Sequence, residues 1–258
     1  MTDSAPGVVW ITGASTGIGR ALALSFAQDG CRVAVSARSA DKLAELAAAS
    51  PNIHALPVDV VDAAAVAATA EKIARELGPI DLAILNAGIW HPMTASRYDL
   101  AHATASMSVN YTGVINALDP VMRAMIARGA GHIALVSSVA GFRGLPKSAA
   151  YGPTKAALIN LAESLYPDLK LKGVRMTVIN PGFVATPMTD VNTFPMPFIV
   201  TIDEAVRFIR RGLARGRFEI VFPGRMALVM KTLRLLPYRV YFWATGKTSS
   251  PETPAGDA

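Results

Sequence analysis

Short apolar runs alternate along this chain with longer stretches whose apolar residues recur at helical spacing. The runs near Val8, Val33, Ile53, Leu82, Ile133, Val174 and Phe218 have the length of strands. They lack polar alternation, which predicts strands covered on both faces. The first run is followed by an amphipathic stretch through Asp29 that Gly30 stops. Thr201-Ile-Asp-Glu204 has capping-box spacing and opens a helix to about Arg215, where Gly216 stops it. Strand, helix, strand units repeated in this way build a parallel sheet with helices on both sides, in one domain rather than two. The expected organisation is a flexible N-terminus at 1–7, a main domain at 8–222, a basic apolar extension of it at 223–247 and a disordered tail at 248–258.

At 52% apolar and 17% charged residues over 258 positions, the composition suits a doubly covered sheet, and it also suits surfaces buried between subunits. Cys31 is the single cysteine, which excludes an internal disulfide and a cysteine-rich metal site. His54, His91, His102 and His132 are scattered without ligand spacing, so no metal is expected. The first residues carry an acid and no apolar core, unlike a signal peptide. No uncharged apolar run reaches the roughly 18 residues of a membrane-spanning helix. A cytoplasmic protein is expected, with contact to the inner face of a membrane as an open possibility.

Candidate chemistry lies in two places. After the first run comes Thr12-Gly13-Ala14-Ser15-Thr16-Gly17-Ile18-Gly19, a strand, glycine turn and helix start. Gly13 permits a tight turn, Gly17 lets backbone approach a pyrophosphate and Gly19 allows close packing, while the helix N-terminus faces the anion. Further on, Tyr151 and Lys155 are four residues apart, a helical spacing that aims a phenol and an ammonium at the same space. The expected result is a phenol pKa drawn below its ordinary value of about 10, toward neutrality. An ordinary solvated helix face is the plainer alternative. Ser138 ends the apolar run beginning at Gly131, where a hydroxyl faces the ligand crevice, and Ser137 is expected to point into packing.

The glycine turn, Asn86-Ala87-Gly88, Asn110, Ser138 and Tyr151-x-x-x-Lys155 together resemble the short-chain dehydrogenase/reductase family over about residues 8 to 190. The resemblance implies a doubly wound Rossmann-type fold with a seven-stranded parallel sheet, and an oxidoreductase interconverting a carbonyl and its alcohol. It implies Asn110, Ser138, Tyr151 and Lys155 as the catalytic set. Tyr151 would act as acid and base, Ser138 would bond the substrate oxygen, and Lys155 would tune Tyr151 and bind the nicotinamide ribose. Asn110 would hold a water relaying protons to Lys155; its alternative is a polar residue kinking its own helix. The cofactor would meet Gly13, Ser15, Thr16, Gly17, Ile18, Gly19 and Arg38, then Asp59 and Val60 near the adenine. Asn86, Ala87 and Gly88 would follow at the adenine ribose, with Pro181, Gly182, Val184 and Thr186 at the nicotinamide. Asp59 read alone is equally a helix N-cap, and Asn86 a turn former. Leu85 replaces a frequent Asn of the family, and Pro153 predicts an irregularity early in the helix.

The second run ends Ser36-Ala37-Arg38-Ser39, with neutral Ala37 where an acid would bind a ribose 2′-hydroxyl and repel a 2′-phosphate. Arg38 can hold that phosphate, so NADP(H) is expected over NAD(H). Thr16 stands where NADP-preferring members often carry a second basic residue. Ile89, Trp90, Met93, Phe142, Leu145, Met188, Phe194, Met196 and Phe198 suit an apolar ketone, aldehyde or alcohol. Arg143 and Lys147 read as solvated loop cations rather than as partners for an anion.

Residues 205–258 hold ten Lys or Arg against three Asp or Glu, while residues 1–204 hold 15 against 16. The net charge of +6 therefore resides in the C-terminal fifth. Residues 225–243 are apolar, aromatic and basic together, which suits pocket closure, a subunit contact in a homodimer or homotetramer, or a membrane surface. A non-catalytic nucleotide-sensing or scaffold protein is the alternative to an enzyme. Nucleic-acid binding would rest on the basic tail alone and is not expected.

Overall fold

The computed structural model describes residues 7–192 and 194–246. The expectations placed on residues 1–6 and 247–258 fall outside them. Seven strands form one parallel sheet: β1 (Val8–Thr12), β2 (Arg32–Ser36), β3 (Ile53–Ala55), β4 (Leu82–Leu85), β5 (Gly131–Val136), β6 (Val174–Pro181) and β7 (Glu219–Phe222). Their order is β3-β2-β1-β4-β5-β6-β7, as the doubly wound reading requires. The order reverses between β1 and β4, where Thr12 pairs with Leu85, and the crevice outside those ends is the natural ligand site.

Two hydrophobic layers cover the sheet. One contains Trp10, Ile73, Val121, Leu135 and Leu158; the other Ile11, Leu22, Leu43, Ile84 and Ile209. Adjacent residues of a strand thus enter opposite layers, and all five residues of β1 are buried. Trp10 is fully buried, and its indole N–H donates to Ser36 Oγ at 3.0 Å, so the polar edge is satisfied inside the core.

Helix α1 (Gly17–Gln28) follows the glycine turn, and α2 (Ala40–Ala48) and α3 (Ala63–Glu76) follow β2 and β3. After β4, α4 (Leu100–Met107) passes through one π turn at Ser108–Thr112 into α5 (Gly113–Arg128). Then come α6 (Gly152–Leu171), α7 (Ile202–Ala214), α8 (Gly224–Leu235) and α9 (Tyr238–Gly246). Thr201 and Glu204 form the reciprocal capping box of α7, and Gly216, with φ of 60°, ends its last turn. Pro153 causes no irregularity. It falls in the first turn of α6, where its missing N–H has no partner to lose.

Candidate active site

Gly13 and Gly17 have φ of 66° and 56°, and a methyl on Gly19 would lie 2.6 Å from the Gly13 carbonyl oxygen. Glycine is thus required by conformation at the first two positions and by space at the third. Thr16 precedes α1 without capping it through its side chain, which leaves first-turn N–H groups facing the cavity. Asn86 fastens this turn to β4: Nδ2 donates to the carbonyls of Thr12 at 3.1 Å and Gly13 at 3.0 Å. Thr12 Oγ1 accepts from the N–H groups of Asn86 and Ala87, a clamp that strand-like Thr12 does not advertise in the sequence.

The second wall is built from β5 and α6. Strand β5 ends at Val136, two residues before the position expected for a strand-end Ser138. Ser138 instead opens a short 3-10 turn at 139–141, where its Oγ accepts from Ala140 N–H and donates to the Pro181 carbonyl at 3.3 Å. Ser137 turns the other way and donates to the Lys155 carbonyl at 2.7 Å. Tyr151 is the N-cap of α6, and Lys155 one turn later is 2% exposed.

The acid–base balance differs from the expectation drawn from spacing. Lys155 Nζ donates to the Val136 carbonyl at 2.8 Å and stands 5.4 Å from the centre of the Tyr151 ring. Burial pushes the Tyr151 phenol up to about 12, opposed by a hydrogen bond with Ser138. Burial brings Lys155 down to about 8. Desolvation outweighs the Ser138 hydrogen bond, so Tyr151 stays protonated at neutral pH.

Asn110 is fully buried in the π turn, but it does not bond its own helix. Its Oδ1 accepts from Ile89 N–H at 2.7 Å, and its Nδ2 donates to the Ile89 carbonyl at 3.0 Å and to Thr154 Oγ1 at 3.2 Å. Gly88 lies beside both groups: a methyl there would sit in ordinary van der Waals contact, 3.4 Å from Asn110 Oδ1 and 3.6 Å from Lys155 Nζ.

One cavity of about 360 Å³ joins these parts, running from Arg38 and Ser39 past the glycine turn to Tyr151 and Phe194. Ser15, Ile18, Asp59, Val60, Ala87, Gly182, Val184 and Thr186 all border it. Asn110 and Gly19 stand behind the wall. Asp59 is not a helix N-cap: it accepts from Val61 N–H in a local turn, and Asp62 caps α3. Thr186 reaches the glycine turn, its Cγ2 3.4 Å from where a methyl on Gly17 would lie. Arg38 is exposed at the cavity rim and makes no ion pair among the described residues.

At the other end the lining is Ile89, Trp90, Leu145, Phe183, Met188 and Phe194. Trp90 meets Tyr151 edge-on at 5.1 Å, and its indole N–H donates to Asn192 Oδ1 at 2.9 Å, linking the two loops at the mouth. Nothing local in the sequence marked Asn192. Met93 and Phe142 are buried outside the cavity, and Phe198 is exposed away from it. Arg143 is no solvated loop cation. It donates to the carbonyls of Leu233, Arg234 and Leu236, which end α8, and its guanidinium lies 4.0 Å from the centre of the Tyr241 ring.

Residues 7–194 match the family model described as short chain dehydrogenase. The chain belongs to this family. An uncharacterized oxidoreductase of Myxococcus xanthus is 38% identical over 231 residues, covering 88% of this chain and 91% of that protein. An uncharacterized oxidoreductase of Mycobacterium tuberculosis is 33% identical over 246 residues, covering 93% and 98%. Among solved structures, a short-chain dehydrogenase from Burkholderia cenocepacia in complex with NADP superposes with a TM-score of 0.81 at 26% identity, covering 97% of this chain and all of that one. This short-chain dehydrogenase is thus an oxidoreductase on a single Rossmann-type domain. No three His, Cys, Asp or Glu side chains gather at one point among its described residues. None of its described helices is long and apolar enough to cross a membrane.

Proposed function

We propose that this dehydrogenase is an NADP(H)-dependent enzyme interconverting an apolar ketone or aldehyde and its alcohol, with Tyr151 as the proton-transfer group. The observation that carries this reading is the single cavity joining Arg38 and the glycine turn to Ser138, Tyr151 and an apolar mouth. The glycine turn fits a dinucleotide, since Gly13, Gly17 and Gly19 leave the space and the N–H groups that a pyrophosphate requires. The nicotinamide supplies or accepts the hydride.

The chain's own residues handle the proton. Tyr151, whose raised pKa keeps the phenol protonated at neutral pH, donates that proton to the carbonyl oxygen as the general acid. Ser138 Oγ, its hydroxyl turned from the Pro181 carbonyl, donates a hydrogen bond to the same oxygen and steadies its developing charge. Lys155 holds the nicotinamide ribose hydroxyls, and Asn110 braces the Ile89 backbone beside it and positions a water that relays protons. Arg38 favours the 2′-phosphate of NADP, a preference also supported by the NADP in the Burkholderia structure. The protein is expected to work in the cytoplasm as a homodimer or homotetramer.

A screen of NADPH oxidation over carbonyl compounds graded by size and polarity tests the reading, with activity expected for apolar members. Tyr151→Phe is expected to lower turnover by about 10²- to 10⁴-fold while NADPH binding, read by fluorescence, stays near that of the unaltered enzyme. Full turnover in that variant removes Tyr151 from the mechanism. NADH binding tighter than NADPH would remove the role of Arg38.

A further inference from the structure

The helices after β7 turn apolar side chains outward. Met226, Ala227 and Met230 are the buried face of α8, while Leu228 is 70% and Leu235 84% exposed on the opposite side, seven residues apart. In α9, Tyr241 is buried, and Tyr238, Val240, Phe242 and Trp243 are exposed. A soluble surface rarely gathers so many large apolar groups without a partner.

Charge on the same segment decides among the partners. Residues 224–246 contain Arg225, Lys231, Arg234 and Arg239 and no Asp or Glu. Lys231 is paired with Glu219, and the three arginines form no ion pair among the described residues. A second copy of this chain docked on the same face by a two-fold axis would set these arginines against each other, with no carboxylate on α8 or α9 to offset them. A surface with negative headgroups over an apolar interior suits both halves of the pattern: rings and leucines enter the headgroup boundary and guanidinium groups meet phosphates. From this we infer that α8 and α9 dock the dehydrogenase on an anionic lipid surface.

The docking face is tied to the active site. Arg143 caps α8, and the Tyr241 hydroxyl donates to the Gly144 carbonyl, so both helices are fastened to the 139–148 loop. Leu145, Pro146 and Ser148 of that loop line the cavity. Docking therefore holds the wall of the apolar pocket against the bilayer side of the molecule.

Sedimentation of the full chain with phosphatidylcholine vesicles, with and without phosphatidylglycerol, tests the inference. Binding is expected only with phosphatidylglycerol and is expected to fall as salt rises. Replacing Arg225, Arg234 and Arg239 together by Gln is expected to weaken it about a hundredfold, at roughly tenfold or less per charge. Leu228→Glu with Leu235→Glu is expected to abolish it, while far-UV circular dichroism reports that both variants remain folded. Absence of binding to either vesicle overturns the inference, as does binding that both variants retain. Conversion of an oligomer to a monomer by the leucine variant, without any vesicle binding, assigns the face to a second copy. Tighter binding to duplex DNA than to phosphatidylglycerol vesicles overturns it as well. None of these readouts requires turnover, so the redox reading and this one fail separately.

Discussion

Replacing Asn110 by Leu removes a clamp rather than a surface contact. The Asn side chain is fully buried and satisfies both backbone groups of Ile89, at 2.7 and 3.0 Å. In the variant those two groups lose their partners, at about 1–3 kcal/mol each. Ile89 is only half-buried and water reaches part of it, which holds the total near the lower end, about 2–4 kcal/mol. Thr154 adds little, because its hydroxyl keeps its bond to the Tyr151 carbonyl at 2.7 Å. Urea unfolding monitored by fluorescence reads the loss as a lower midpoint at unchanged slope. Asn110→Asp sharpens the test: it keeps the acceptor for Ile89 N–H but opposes an oxygen to the Ile89 carbonyl. Burial raises the pKa of that new carboxyl, and once protonated it can donate again. The deficit of this variant relative to the unaltered enzyme is therefore expected to shrink as pH falls through the raised pKa. A loss below about 0.5 kcal/mol for Asn110→Leu would show that the Ile89 bonds contribute nothing in solution.

Gly19→Ala places a methyl 2.6 Å from the Gly13 oxygen and 2.7 Å from Asn86 Nδ2, so isothermal titration should show NADPH binding largely lost. Gly17→Ala meets Thr186 only at 3.4 Å and carries mainly the cost of its φ of 56°, about 1 kcal/mol of stability read by thermal unfolding. The Lys155 pKa is lowered from 10.5 to about 8 in the fold. The unfolded chain therefore binds the extra proton between those values, and stability should rise with pH across that window. Lys155→Met should flatten that rise in unfolding experiments over the same range. Arg143→Ala leaves three carbonyls at the end of α8 without their cation and is expected to cost about 2–3 kcal/mol locally, read as faster proteolysis within residues 224–246.

Residues close in sequence were legible because their geometry is local. The glycine turn announced itself through spacing between a strand and a helix, and Thr201 with Glu204 through their three-residue offset. Arg38 was legible for a related reason, since a parallel sheet puts the residue after β2 beside the crevice. Thr12 and Asn192 were not. Each acts through a partner far along the chain, Asn86 in one case and Trp90 in the other, and an isolated Thr or Asn carries no mark of such a partner. Pro153 was misread because the boundary of α6 was unknown, and one turn's difference decides whether a proline interrupts a helix or begins it.

By itself, the order of apolar runs and turns determined that this chain forms a doubly wound parallel sheet, because β-strands buried on both faces and separated by helices have few other ways to pack. Periodicity also placed Tyr151 and Lys155 on one helical turn. Tertiary structure alone decided what that pair does to its protons. The sense of each shift depends on how much water the group loses, and that follows from how α6 packs on β5. Desolvation is a property of the assembled surroundings, so spacing brought the two groups together while burial set the direction in which each pKa moves.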